Sequence, residues 1–109
     1  MASTGHFIIA VTIWAVAGAS QAQETGNARQ GLTLAHEVCS QCHAVSKTEG
    51  RSANARAPAF EAIANTPGMT SMALSAALQT SHPSMPNVVL KGDDMANAIA
   101  YILSLKQSD

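Results

Sequence analysis

Two cysteines and a histidine occupy five consecutive residues, Cys39-Ser40-Gln41-Cys42-His43, and the chain has no other cysteine. This C-x-x-C-H pattern is typical of covalent haem attachment. Two thiols three positions apart lie on one side of a helical turn, where each can add to one haem vinyl group. The next residue then lies over the porphyrin, where its imidazole can bind the iron. We therefore predict thioether bonds at Cys39 and Cys42 and an axial iron ligand at His43.

Three other uses of these residues stay open at the level of sequence, although each has less support. A thioredoxin-like redox pair needs a βαβ setting, and no strand-like segment precedes Cys39. A zinc site needs four ligands, and beyond the two cysteines the chain after residue 22 offers only His36, His43 and His82. A structural disulfide would close a very short loop, which stabilises a fold little.

A second axial ligand has to come from elsewhere in the chain. The other methionines and histidines after residue 22 are Met69, Met72, Met85, Met95, His36 and His82. Met72 and Met95 fall on apolar faces of predicted helices, where methionine usually fills the core. Met85 lies between two prolines in His82-Pro83-Ser84-Met85-Pro86-Asn87, a stiff loop suited to holding a thioether in place. We predict Met85 as the ligand, and we interpret His82 as an exposed loop imidazole, with a role as a switch ligand as the less favoured alternative.

The N-terminal segment has the character of an export signal. Phe7 to Gly18 is an uncharged apolar run, short for a membrane span but long enough for a signal-peptide core. Ser20-Gln21-Ala22 supplies small residues for cleavage after Ala22, although the first six residues contain no Lys or Arg. We expect a signal peptide over 1–22, a periplasmic domain over 23–109, and no membrane span in the mature chain; an uncleaved anchor is the alternative.

Apolar periodicity predicts an all-α fold, because no run alternates apolar and polar residues long enough for a strand. The last helix is the clearest: Gly92-Asp93 opens it with an N-cap candidate, and its apolar face is Met95, Ala98, Ile99, Ile102 and Leu103. Further helical segments are predicted over 28–38, over 72–78 with Thr70 as cap, and in a short turn beginning at Pro58. Residues 44–57 and 80–91 are predicted to be loops.

Composition limits both the core and the partners. With six Lys and Arg against seven Asp and Glu, the net charge is −1, and no basic cluster suggests nucleic acid as a partner. After residue 22 the only aromatic residues are Phe60 and Tyr101, so a domain of this size has few large side chains for its core. A bound cofactor would fill that core.

The CxxCH motif, a Met-Pro pair some 40 residues later and a closing amphipathic helix together resemble the class I monohaem cytochromes c of bacteria. The resemblance covers nearly all of residues 26–106 and implies three to four helices wrapped around one haem c. It also implies that Gly31 of the first helix packs against Tyr101, and that the Pro58 carbonyl accepts the NH of the His43 ring.

The sequence also departs from that family. Ala35 and His36 stand where family members often have an aromatic residue, and the chain after residue 22 lacks a Trp for the haem propionates. Arg51 and Arg56 are the candidate propionate partners.

The ligand set determines the expected function. Histidine and methionine together leave iron no open position, so we expect electron transfer and no enzymatic activity. The expected partners are redox proteins: a dehydrogenase as donor and an oxidase or reductase as acceptor. A haem subunit bound stably to a larger oxidoreductase is the first alternative. A centre lacking Met85 on the iron, open to a gas or peroxide, is the second.

Overall fold

A computed structural model describes residues 1–2, 26–86 and 88–108 of the chain. The predicted signal-peptide core and its cleavage site after Ala22 lie outside these residues. The described part contains four α-helices and no strand, which confirms the predicted all-α class. No helix in that part is long and apolar enough to cross a membrane.

The four helices lie close to the predicted segments. They are α1 (Ala28–Leu34), α2 (Phe60–Ala64), α3 (Ser71–Gln79) and α4 (Asp93–Ser104). A π-helical turn over Ala35–Cys39 continues α1 directly. The described residues of 44–57 and 80–91 contain no helix or strand, which confirms the two predicted loops over these ranges; residue 87 is not described.

Helices α1 and α3 each begin after a residue whose side chain accepts hydrogen bonds from the free backbone amides of the first turn. The Asn27 side chain accepts from the amides of Arg29 and Gln30, and Thr70 accepts from the amide of Ala73, as predicted for α3. One predicted start was wrong by a short distance, because the helix expected at Pro58 begins at Phe60 after an extended Ala59. Helix α4 begins at Gly92-Asp93 as predicted, with Gly92 (φ 56°) at its N-cap and Asp93 in the first turn.

Helices α1 and α4 cross with almost no space between their backbones. A Cβ atom on Gly31 would lie 2.7 Å from the Cβ of Tyr101 and would overlap the backbone carbonyl of Asn97. Glycine is therefore required at this crossing, and the predicted contact between Gly31 and Tyr101 is present.

The same crossing contains a buried polar side chain that no pattern in the sequence predicts. Asn97 is only 7% exposed, and its Oδ1 accepts from the Asn27 amide at 2.7 Å. Its Nδ2 donates to the side chain of Gln30 at 3.0 Å. Both ends of the amide are thus satisfied, which fixes the register of the two helices.

The hydrophobic core lies along α4. Its buried members are Ala35, Val45, Phe60, Ala64, Leu74, Ile99, Tyr101, Ile102 and Leu105. Both aromatic residues of the domain are among them, with ring centroids 6.4 Å apart. Met95 packs partly buried against this core as expected, but Met72 is 82% exposed, so the prediction that it fills the core was wrong. Leu74 and Leu78 form the apolar face of α3 instead.

Candidate cofactor site

A cavity of about 550 Å³ opens beside the core, between the π-helical turn, α2, α3 and the loop after α3. Its volume lies within the range of cofactor sites, roughly 300–1,000 Å³. All five residues predicted from the sequence line it: Cys39, Cys42, His43, Pro58 and Met85. The chain therefore brings together, in one cavity, residues separated by up to 46 positions.

The C-x-x-C-H segment forms a hydrogen-bonded turn at the end of the π-helical turn. The Cys39 carbonyl accepts from the amides of Cys42, at 3.1 Å, and His43, at 2.9 Å. Both cysteines are half-buried free thiols. This turn brings both cysteines and the histidine to the lining of one cavity.

Burial raises the pKa of the Cys39 thiol. A nucleophilic redox cysteine needs the opposite shift, because the thiolate is the reactive form. The local environment therefore disfavours the thioredoxin-like alternative.

The zinc alternative has little support from the positions of the donors. No group of three or more His, Cys, Asp or Glu within the described ranges is placed to hold a metal ion. His36, one of the three histidines that could complete such a site, is exposed on the π-helical turn.

The His43 ring is held on two sides. Its Nδ1 lies 2.6 Å from the carbonyl oxygen of Pro58, which can accept only from a protonated nitrogen. Protonation at Nδ1 leaves Nε2 with the lone pair that binds a metal. The ring also packs against Phe60, with centroids 5.3 Å apart.

The loop over 44–57, which contains no helix or strand, brings Pro58 next to His43. The amide of Ala44 donates to the Ser52 hydroxyl at 2.9 Å, and the amide of Asn54 donates to the Cys42 carbonyl at 3.0 Å. The amide of Phe60 then donates to the Ala44 carbonyl at 2.9 Å. Asn54 also lines the cavity. The sequence does not predict that Asn54 holds this loop against Cys42, because its hydrogen bond is made by a loop amide and leaves no periodic pattern.

Residues 82–86, which we call the strap, supply the thioether. The Met85 amide donates to the His82 carbonyl at 3.2 Å, and this pair forms an isolated antiparallel bridge. Pro83 and Ser84 form the turn between them, and Ser84 has φ 68°, a left-handed conformation normally favoured by glycine. Met85 is half-buried, and both it and His82 line the cavity.

The remaining lining is mainly apolar. It includes Val38, Phe60, Ile63, Leu74, Leu78, Val88 and Ile102. Three of these, Phe60, Leu74 and Ile102, also belong to the buried core, so the cavity is an open side of the core itself. Of the two candidate propionate partners, Arg56 lines the cavity and Arg51 is not among its described lining residues.

These residues fit haem c. The cavity offers two thiols, an oriented imidazole and a thioether as donors, within an apolar lining that would cover a porphyrin, and one arginine for its carboxylates. No protein-family model matches the sequence, and no characterised protein or solved structure shows a detectable match to the chain.

Proposed function

We propose that this chain is a periplasmic single-electron carrier with one haem c, bound through thioethers to Cys39 and Cys42 and ligated by His43 and Met85. The observation that carries the proposal is the shared cavity, since all four residues line it together. Haem iron held by histidine and methionine exchanges one electron and has no open coordination position.

The protein's own residues tune such a centre. The Pro58 carbonyl fixes the orientation of the His43 ring and makes the imidazole a stronger donor. The thioether of Met85 favours ferrous iron relative to a second imidazole, which raises the reduction potential. The apolar part of the lining would limit the solvent that has to reorganise around the haem when its charge changes.

Such a carrier exchanges electrons with larger redox proteins. A dehydrogenase is the proposed donor, and an oxidase or reductase is the proposed acceptor. Contacts of this kind are brief and bury little surface.

A haem subunit held permanently by one oxidoreductase is the second candidate. It is favoured by an exposed valine at the cavity, Val38 at 40% exposure, together with the low number of charges in the chain. Size-exclusion chromatography of native extract separates the two candidates. A stable subunit elutes with a much larger dehydrogenase, whereas a free carrier elutes at its own size.

A redox titration followed by visible spectroscopy tests the proposed function. We expect a one-electron transition, a sulfur-to-iron charge-transfer band in the ferric form, and a ferrous form that does not take up carbon monoxide. A five-coordinate haem that binds carbon monoxide readily would contradict the electron-carrier proposal and favour the gas- or peroxide-binding alternative.

A further inference from the structure

We propose that His82 is a reserve axial ligand, whose imidazole takes the iron when the Met85 thioether is lost from it. This inference rests on the proposed function, because it concerns the same haem site. It assigns a role to a side chain that the His43 and Met85 ligand pair leaves unused.

The geometry of the strap places the two donors together. His82 and Met85 are the first and last residues of a four-residue turn, closed by the hydrogen bond from the Met85 amide to the His82 carbonyl. Residues paired in this antiparallel way have side chains on the same face, with Cβ atoms about 4.5–5.5 Å apart. Consistent with this, both side chains line the cavity.

The turn also links the positions of the two donors. The ring of Pro83 fixes one backbone angle, and Ser84 occupies the left-handed region. Only two residues separate His82 from Met85, so the imidazole and the thioether must move with the same backbone. A small displacement of the strap therefore exchanges one donor for the other without unfolding the domain.

Few other side chains can compete for the position. Apart from His43 and Met85, His82 is the only histidine or methionine among the described lining residues. Arg56 also lines the cavity, but its guanidinium stays protonated and has no lone pair to donate. His36 does not appear among the described lining residues.

An imidazole that replaces the thioether changes the properties of the centre in a defined way. The iron stays six-coordinate and closed to small ligands, and its potential falls because the thioether no longer favours the ferrous state. Loss of Met85 ligation thus converts a high-potential carrier into a low-potential one and does not create a ligand-binding haem.

The test uses the haem-loaded protein with three changes: Met85→Ala, Met85→Ala with His82→Ala, and Met85→Ala with His36→Ala as the matched control. We expect Met85→Ala to lose the sulfur-to-iron band, stay low-spin, titrate at a lower potential and not take up carbon monoxide. Adding His82→Ala should give a high-spin haem that binds carbon monoxide, whereas adding His36→Ala should leave the low-spin spectrum of Met85→Ala unchanged.

The outcomes separate this inference from the proposed function. A high-spin, carbon monoxide-binding Met85→Ala protein overturns the reserve-ligand role but leaves the carrier proposal intact. A low-spin protein that still lacks carbon monoxide binding after both Met85 and His82 are replaced also overturns it. An unchanged sulfur-to-iron band in Met85→Ala, or wild-type protein without covalent haem, refutes the proposed function itself.

Discussion

At the scale of single residues, the site depends on a few long-range hydrogen bonds that hold the chain near His43. The Tyr101 hydroxyl donates to the carbonyl of Val45, a fully buried residue two positions after His43. The Pro58 carbonyl accepts from the His43 ring. Helix α4 and the loop after the C-x-x-C-H segment therefore support the same imidazole.

Replacing Tyr101 with Phe should destabilise the haem-loaded protein by about 1–2 kcal/mol, because the buried Val45 carbonyl loses its partner. Denaturant unfolding measures this change. Thr33→Val is the control, since the Thr33 hydroxyl also donates to a backbone carbonyl, that of Arg29, but on the surface. That variant should change the free energy of unfolding by less than about 0.5 kcal/mol. Equal effects in the two variants would argue against a structural role for the Tyr101 hydroxyl.

Tyr101 also predicts how stability depends on pH. Burial, and to a lesser extent the negative charge of Glu49, raises the pKa of Tyr101 above its ordinary value. The folded protein therefore keeps the phenol protonated at a pH where the unfolded chain has lost the proton. The contribution of Tyr101 to the free energy of unfolding is fully present below about pH 10, and it is lost as the pH rises through the folded-state pKa. The stability difference between wild type and Tyr101→Phe should narrow above about pH 10, and a constant difference would contradict the assignment.

Residue type and spacing predict Cys39, Cys42, His43 and Met85, and the family resemblance adds Pro58, but neither reveals the polar residues that hold the surrounding helices in place. Cys39, Cys42 and His43 are adjacent in sequence, so their joint role has a local signature. Asn97 bonds to Asn27, 70 positions away, and such a pairing exists only once α1 and α4 have packed.

At the scale of elements, α1 continues into a π-helical turn that ends at Cys39, the first residue of the C-x-x-C-H segment. The amide of Ser40 donates to the carbonyl of Ala35, five residues back, at 2.9 Å. Single π turns inside helices often occur at functional sites. The apolar pattern over 28–38 predicts a helix there, but a period of 3.6 residues cannot distinguish one wider turn at its end.

The crossing of α1 and α4 gives a prediction at this scale. Replacing Gly31 with Ala should destabilise the protein by about 1–3 kcal/mol, because the new methyl group meets the Asn97 backbone. This cost should outweigh the helix propensity that alanine adds, about 1 kcal/mol. Thermal unfolding of the haem-loaded protein measures the difference.

Gly50→Ala is the matched control for that substitution. No atom lies within 4 Å of a Cβ built on Gly50, so its stability should stay within about 0.5 kcal/mol of wild type. A Gly31→Ala protein as stable as Gly50→Ala would show that the two helices do not cross as closely as described.

At the scale of the whole molecule, the cavity and the core share one wall. Phe60, Leu74 and Ile102 belong to both, and Phe60 and Tyr101 are the only aromatic residues after residue 22. A domain of this size is marginally stable on its own, and a filled cavity would complete its core. The scarcity of aromatic residues is visible in the sequence, but which side chains form the shared wall depends on packing.

The protein without haem should therefore be largely unfolded. Chain produced where haem cannot be attached should show a weak helical signal by circular dichroism and no cooperative melting transition. The haem-loaded protein is the control and should melt cooperatively. A cooperative, helical form without haem would mean that the core is complete by itself.

The intact mass of the native protein, together with its reduced alkaline-pyridine spectrum, shows whether one haem is joined to both cysteines. We predict the mass of the chain after cleavage at Ala22 plus one haem, and a spectrum of haem attached through two thioethers at Cys39 and Cys42. A mass equal to the polypeptide alone, with the two cysteines free, joined to each other or bound to zinc, would contradict it.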